Sequence, residues 1–277
     1  HRLQDAAGDY QTGQSLSMAT TAAPRLRTIA LPAEHGSWGL TLEPIVLGLL
    51  VAPSWGGLGL AISAFGLFLL RWPLKVAQTS RKQKRYARLR MALRFVGIYG
   101  LLAVGGLLLG VGQAGWRPLL PLLPALPFGL IFFLYDTQNR SRSWQAELAG
   151  PVAFAATATS IALAGGWAAA PALALCAVLV ARAVPSVLYV RARLRLDRGK
   201  RYHPALVFST HLAALAAVGG LVWLELLPLL TLGVFGLLLG RAIGGLSRYR
   251  RSVPVKVIGI TELGWGLLTV LLVAIAY

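Results

Sequence analysis

The sequence predicts an all-α, polytopic membrane protein with nine transmembrane helices. Three observations predict it. Hydrophobic residues make up 56% of the chain and charged residues only 13%, about half the charge of an average soluble domain. Apolar runs approaching or reaching the length that carries a helix across a ~30 Å hydrocarbon core recur nine times. The 27 Lys and Arg fall almost entirely into every second gap between those runs.

The apolar segments are 37–51, 57–70, 92–111, 118–134, 148–163, 168–184, 205–218, 222–240 and 257–277. Pro32 gives the first a start signal. Arg25 and Arg27 precede it. The gap after the second holds Arg71, Lys75, Arg81, Lys82, Lys84, Arg85, Arg88, Arg90 and Arg94. Arg140 and Arg142 follow the fourth, a run from Arg182 to Arg201 closes the sixth, and Arg241 to Lys256 follow the eighth. The intervening gaps carry only Arg117 and are short (VAPSWGG, AGGWA, VGGLVW), with Trp55, Trp116, Trp167 and Trp223 at headgroup level. By the positive-inside rule the amino terminus is cytoplasmic and the carboxyl terminus external. The expected location is the plasma membrane.

The net charge of +18 is thereby explained as a topology signal, and nucleic acid is excluded as a partner. Cys176 is the sole cysteine, so the chain has no internal disulfide and no cysteine-cluster metal site. Residues 1–28 read as a disordered segment. Met18 reads as a natural start, with 1–17 an addition and no cleavable signal peptide. Residues 29–277 form one transmembrane domain.

A polar cap on one face fits an enzyme or binding site better than a transporter, which needs polar groups at mid-membrane and openings on both sides. Arg182, Ser186, Tyr189 and Arg193 fall at i, i+4, i+7 and i+11, one stripe of a helix. Arg71, Lys75, Gln78 and Lys82 repeat the pattern. Guanidinium groups bind phosphate or carboxylate without a metal. The two stripes, with Arg140, are expected to converge on an anionic head group whose tail lies among the helices. The competing reading is that these cations only face lipid phosphates.

Glu34, His35 and Glu43 lie at or within the first segment. Glu34 is a functional candidate, a helix cap or a partner of a loop arginine. His35 is a general base near the cytoplasmic face or an interfacial histidine. Glu43 precedes Pro44 and is expected to bond to backbone freed by the proline. Asp136 and Glu147 flank Arg140 and Arg142 and read as their salt-bridge partners. His211 and Glu262 read as isolated intramembrane polar groups.

Residues 132–150 read FFLYDTQNRSRSWQAELAG. Tyr135, three residues, Asn139-Arg140 and then Leu148-Ala149-Gly150 resemble the loop after the fourth helix of the UbiA family of membrane prenyltransferases. The stretches LPAEHGSWGLTLEP (31–44) and RAVPSVLYVRARLR (182–195) resemble, more narrowly, the YwiC-like proteins. The resemblance implies a nine-helix UbiA-like bundle with its functional loops on one side, and transfer of an isoprenoid or related lipid group as the reaction class. It also implies Mg²⁺, held by Asp-rich motifs in the second and sixth loops. The chain departs there, because residues 71–94 contain no acid and the sixth loop contains only Asp197. No metal ligands and no cofactor are therefore assigned. In this reading Arg71, Lys75, Asn139, Arg140, Arg182, Ser186, Arg191 and Arg193 bind an anionic or prenylated molecule. Glu34, His35, Tyr135 and Tyr189 orient or deprotonate the acceptor. The alternative is a non-catalytic lipid-binding, transport or assembly protein.

Overall fold

A computed structural model describes residues 26–32 and 35–277, with the side chains of 35–37 outside the description. Glu34 and the His35 side chain therefore lie outside the described residues. A short helix α1 (Leu26–Ala30) is followed by α2 (His35–Val51), α3 (Trp55–Lys82), α4 (Tyr86–Ala114), a 3₁₀ turn (Arg117–Leu122), α5 (Leu126–Thr137), α6 (Trp144–Ala164), α7 (Ala169–Asp197), α8 (Pro204–Trp223), α9 (Leu229–Leu246) and α10 (Val255–Ala276). No strand occurs among the described residues.

Seven helices are long and apolar enough to cross a membrane, and the two shorter apolar helices are Trp38–Val51 and Leu126–Thr137. The protein is a multi-pass membrane protein. Each of the nine apolar segments lies wholly or mainly on one of α2 to α10, with corrected boundaries. The fourth segment is split because Pro118, Pro121, Pro124 and Pro127 recur every third residue. Each removes a backbone N–H, so the chain runs as a 3₁₀ turn until α5. The eighth begins at Leu229 rather than 222, because α8 runs on to Trp223 and Glu225 takes a left-handed φ of 58° in the turn before Pro228. Most of the cations assigned to gaps ride on helices. α3 and α7 have 28 and 29 residues, about 42 Å at 1.5 Å per residue, so their basic ends project past a ~30 Å hydrocarbon core. Helix α1 begins inside the segment expected to be disordered, and its Ile29 is fully buried against Val76, Ala77 and Ala92.

Glycine governs the closest packing. On α4, a Cβ at Gly106 would lie 2.7 Å from the Gly59 carbonyl and 2.6 Å from the Ser63 nitrogen of α3. Gly66 approaches the Ala103 nitrogen equally closely. Small residues let two backbones touch where lipid offers no hydrophobic drive to hold helices together. The central core, including Leu47, Ala158, Leu175, Val178, Val218, Phe235 and Val273, joins α2 with α6 to α10.

Contacts between connections define two ends of the bundle. At one, Trp167 packs on Tyr277 with ring centroids 4.9 Å apart. The Tyr277 hydroxyl donates to the Leu226 carbonyl at 3.0 Å. At the other, Arg191 of α7 donates to the Arg142 carbonyl in the α5–α6 loop at 3.3 Å, and Arg193 donates to the Arg251 carbonyl in the α9–α10 loop. The second end carries the charge.

Candidate functional site

Helix α7 presents the polar stripe as one buried face. Arg182, Ser186, Tyr189 and Arg193 are 2%, 4%, 7% and 6% exposed. An ionised group so deep in an apolar bundle must be paired, and each arginine is.

Arg182 binds Glu43 of α2 at 3.2 Å through Nη2, which also donates to the Glu262 carbonyl of α10 at 2.9 Å. Gly266 makes room for this pair, since a Cβ there would collide with Glu43 Oε1 and lie 2.7 Å from Arg182 Nη2. Glu43 is thus an ion-pair partner and not a ligand to backbone freed by Pro44. A proline orphans a carbonyl, which accepts, and an ionised carboxylate also only accepts.

Arg241 of α9 meets both Glu262 carboxylate oxygens at 2.6 Å. Its Nη2 reaches Ser186 Oγ at 3.4 Å. The guanidinium carbon lies 4.4 Å from the Tyr189 ring centroid and 5.9 Å from that of Trp265, which adds cation–π attraction. Glu262 is therefore not isolated. Further along α7, Arg193 donates to Asp197 Oδ2 at 3.0 Å and to the Gly245 carbonyl. Asp197 Oδ1 accepts from Arg250 at 3.2 Å. Gly245 is needed because a side chain there would strike the Tyr189 hydroxyl.

A cavity of about 240 Å³ opens against this ladder, lined by Tyr189, Arg193, Arg241, Glu262 and Trp265 with Val253, Val257, Ile258 and Thr261. Val257 and Thr261 are exposed. The cavity thus combines two guanidinium groups and one carboxylate with an apolar rim at the basic end of the bundle.

The other expected binding residues lie elsewhere. Arg71 and Lys75 of α3 meet Asp136 of α5 at 3.5 and 3.1 Å, and Arg71 stacks over Phe132 at 4.9 Å. Asp136 pairs with α3 rather than with Arg140 or Arg142. Gln78 and Lys82 are exposed. Arg140 is exposed over the Tyr135 ring at 5.2 Å, beside Asn139 in a left-handed turn with φ 58°. Arg191 binds Glu147. His211 is buried on α8, its Nδ1 2.8 Å from the Val207 carbonyl. Tyr189 and Arg193 are the expected site residues that line the cavity, Arg182 joins through Glu262, and Tyr135, Arg140, Arg71 and Lys75 are not in its lining.

Arg241 and Trp265 went unrecognised as site residues. Arg241 stands within GLLLGRAIGGL, apolar on both sides, and that burial was the available signal.

A family model described as YwiC-like protein matches residues 31–162. Over those residues, just under half of the chain, it is similar to that family. No curated protein and no solved structure matches. The matched stretch spans α2 to most of α6, so it includes Glu43 and the Arg71–Lys75–Asp136 cluster. It ends before α7 and the cavity.

Proposed function

We propose that this protein crosses the plasma membrane nine times in a UbiA-like bundle and binds an anionic, lipid-like molecule at its cytoplasmic face. The observation that supports this reading is the cavity in which Arg193 and Arg241 stand beside Tyr189, Trp265 and an apolar rim. Guanidinium groups suit a phosphate or carboxylate. The aliphatic rim suits the start of a tail. In this reading α2, packed chiefly on α6 and α10, and α5, packed chiefly on α6, also count as crossings.

The reaction class in this reading is transfer of an isoprenoid or related lipid group. Arg193 and Arg241 hold the leaving anion and offset charge that develops on it. Tyr189 orients the acceptor. The donor set does not fit Mg²⁺. Asp197 is taken up by Arg193 and Arg250, and no group of three His, Cys, Asp or Glu suited to a metal occurs among the described residues.

A second reading, a lipid-binding protein without catalysis, is favoured by one observation. Arg193 already donates to Asp197 and to two backbone carbonyls. The deciding experiment is thermal stabilisation of the detergent-purified full chain by farnesyl diphosphate, with Mg²⁺ and with EDTA. Stabilisation in EDTA supports the arginine site. Lack of stabilisation by either farnesyl diphosphate or dodecyl phosphate would overturn it. Binding without turnover across a panel of acceptors favours the second reading.

A further inference from the structure

Arg241 is held in place by more than its carboxylate. Tyr189 and Trp265 flank the guanidinium, and Ser186 meets it at 3.4 Å. Its side chain is 7% exposed, and its Nε is buried without a hydrogen-bond partner. The Glu262 side chain is the more accessible member of the pair at 16%, and both residues line the cavity. Helix α10 does not depend on that carboxylate for its polar anchor to α7, because Arg182 grips the Glu262 backbone carbonyl. The Glu262 side chain can therefore leave Arg241 while the guanidinium, its aromatic supports and the α7–α10 contact remain.

We infer that Glu262 is a resident substitute for the ligand's anion: the phosphate or carboxylate of a membrane amphiphile displaces it from Arg241. This rests on the anionic-ligand reading above and adds how the site is kept closed when empty. A bare guanidinium in this apolar setting is costly, so an internal carboxylate holds the charge until an external one replaces it. No covalent bond forms or breaks, and the displaced Glu262 carboxylate, the more accessible of the pair, turns toward the open side of the cavity beside the exposed Thr261. Arg193, locked to Asp197, Gly245 and Arg251, adds positive potential at the cavity without giving up its own partners. The competition weakens the apparent affinity for every anion equally, so the amphiphile's tail along Val253, Val257 and Ile258 separates lipid from free phosphate.

The test is equilibrium binding of dodecyl phosphate and of inorganic phosphate to the full chain in a non-ionic detergent. Wild type, Glu262→Gln, Glu262→Asp and Arg241→Gln are compared. Glu262→Gln is expected to bind dodecyl phosphate at least about tenfold more tightly than wild type, as removal of a competing close charge pair implies. Glu262→Asp, whose shorter side chain loosens the clamp, is expected to gain less. Arg241→Gln is expected to lose binding. Should Glu262→Gln fail to fold, the aspartate variant carries the test alone. Binding by wild type with equal or weaker binding by both Glu262 variants overturns the displacement and leaves the anionic-ligand reading standing. No binding by wild type or either variant removes that reading and this one together. Inorganic phosphate binding as tightly as dodecyl phosphate overturns the amphiphile and leaves a free-anion site.

Discussion

Glu43 and Arg182 meet at 3.2 Å between α2 and α7, with side chains 8% and 2% exposed. The pair sits where α10 comes closest, under Gly266, so three helices depend on one charge contact. Breaking a buried pair from one side costs about 3–5 kcal/mol, because it strands the other charge. Glu43→Ala and Arg182→Ala are each expected to lose stability on that scale. The double variant is expected to lose clearly less than the sum, since neither charge is then left alone. Unfolding in mixed micelles of the four proteins measures the coupling, and simple additivity would show that the two do not interact.

Gly266 and Gly264 offer a matched pair on one helix. A methyl group at 266 collides with Glu43 and Arg182, whereas at 264 it meets nothing within 4 Å. Gly266→Ala is expected to destabilise by several kcal/mol, comparably to loss of the ion pair. Gly264→Ala is expected to be neutral within about 0.5 kcal/mol or mildly stabilising. Equal melting temperatures for the two would contradict the close approach of α10.

The same contrast exists between neighbours in α4. Gly106→Leu forces α4 off α3, because even a Cβ there lies 2.7 Å from the Gly59 carbonyl. Gly105→Leu points into open space. Expression level and melting temperature are expected to fall sharply for the first and to change little for the second.

Orientation and the number of crossings are checked with single cysteines. With Cys176 replaced by Ala, a cysteine at Ser54 or Ala168 is expected to react with an impermeant maleimide added outside intact cells. One at Ser252 is expected to react only after the membrane is opened. Labelling of Ser252→Cys from outside would reverse the orientation, and labelling of Ser54 and Ala168 from opposite sides would remove the α5 crossing and break the nine-crossing count.

Much of this architecture was legible one residue at a time. Apolar runs marked each of α2 to α10, and the spacing of Arg182, Ser186, Tyr189 and Arg193 placed them on one face of α7, all four buried. Asp136 and Glu147 read correctly as salt-bridge partners, but their mates did not. Asp136 takes Lys75 from 61 residues away instead of a nearby arginine. Arg241 was counted with the loop cations because one more arginine beside a charged loop looks like a topology signal. Its pairing with Glu262, 21 residues on, needs the two antiparallel helices side by side.

What the sequence by itself determined is the class and the alternation: long apolar helices, short turns at one end and basic extensions at the other. Those follow from helix length, bilayer thickness and the cost of charge in hydrocarbon, all of which are local in the chain. Only the tertiary structure decided which charges meet. Glu43, Arg182, Glu262 and Arg241 come from four helices, and a charge in an apolar bundle is defined by the partner that packing brings to it. The basic stripe of α7 thereby becomes one side of a paired polar ladder, with its opening at Arg241 and Glu262.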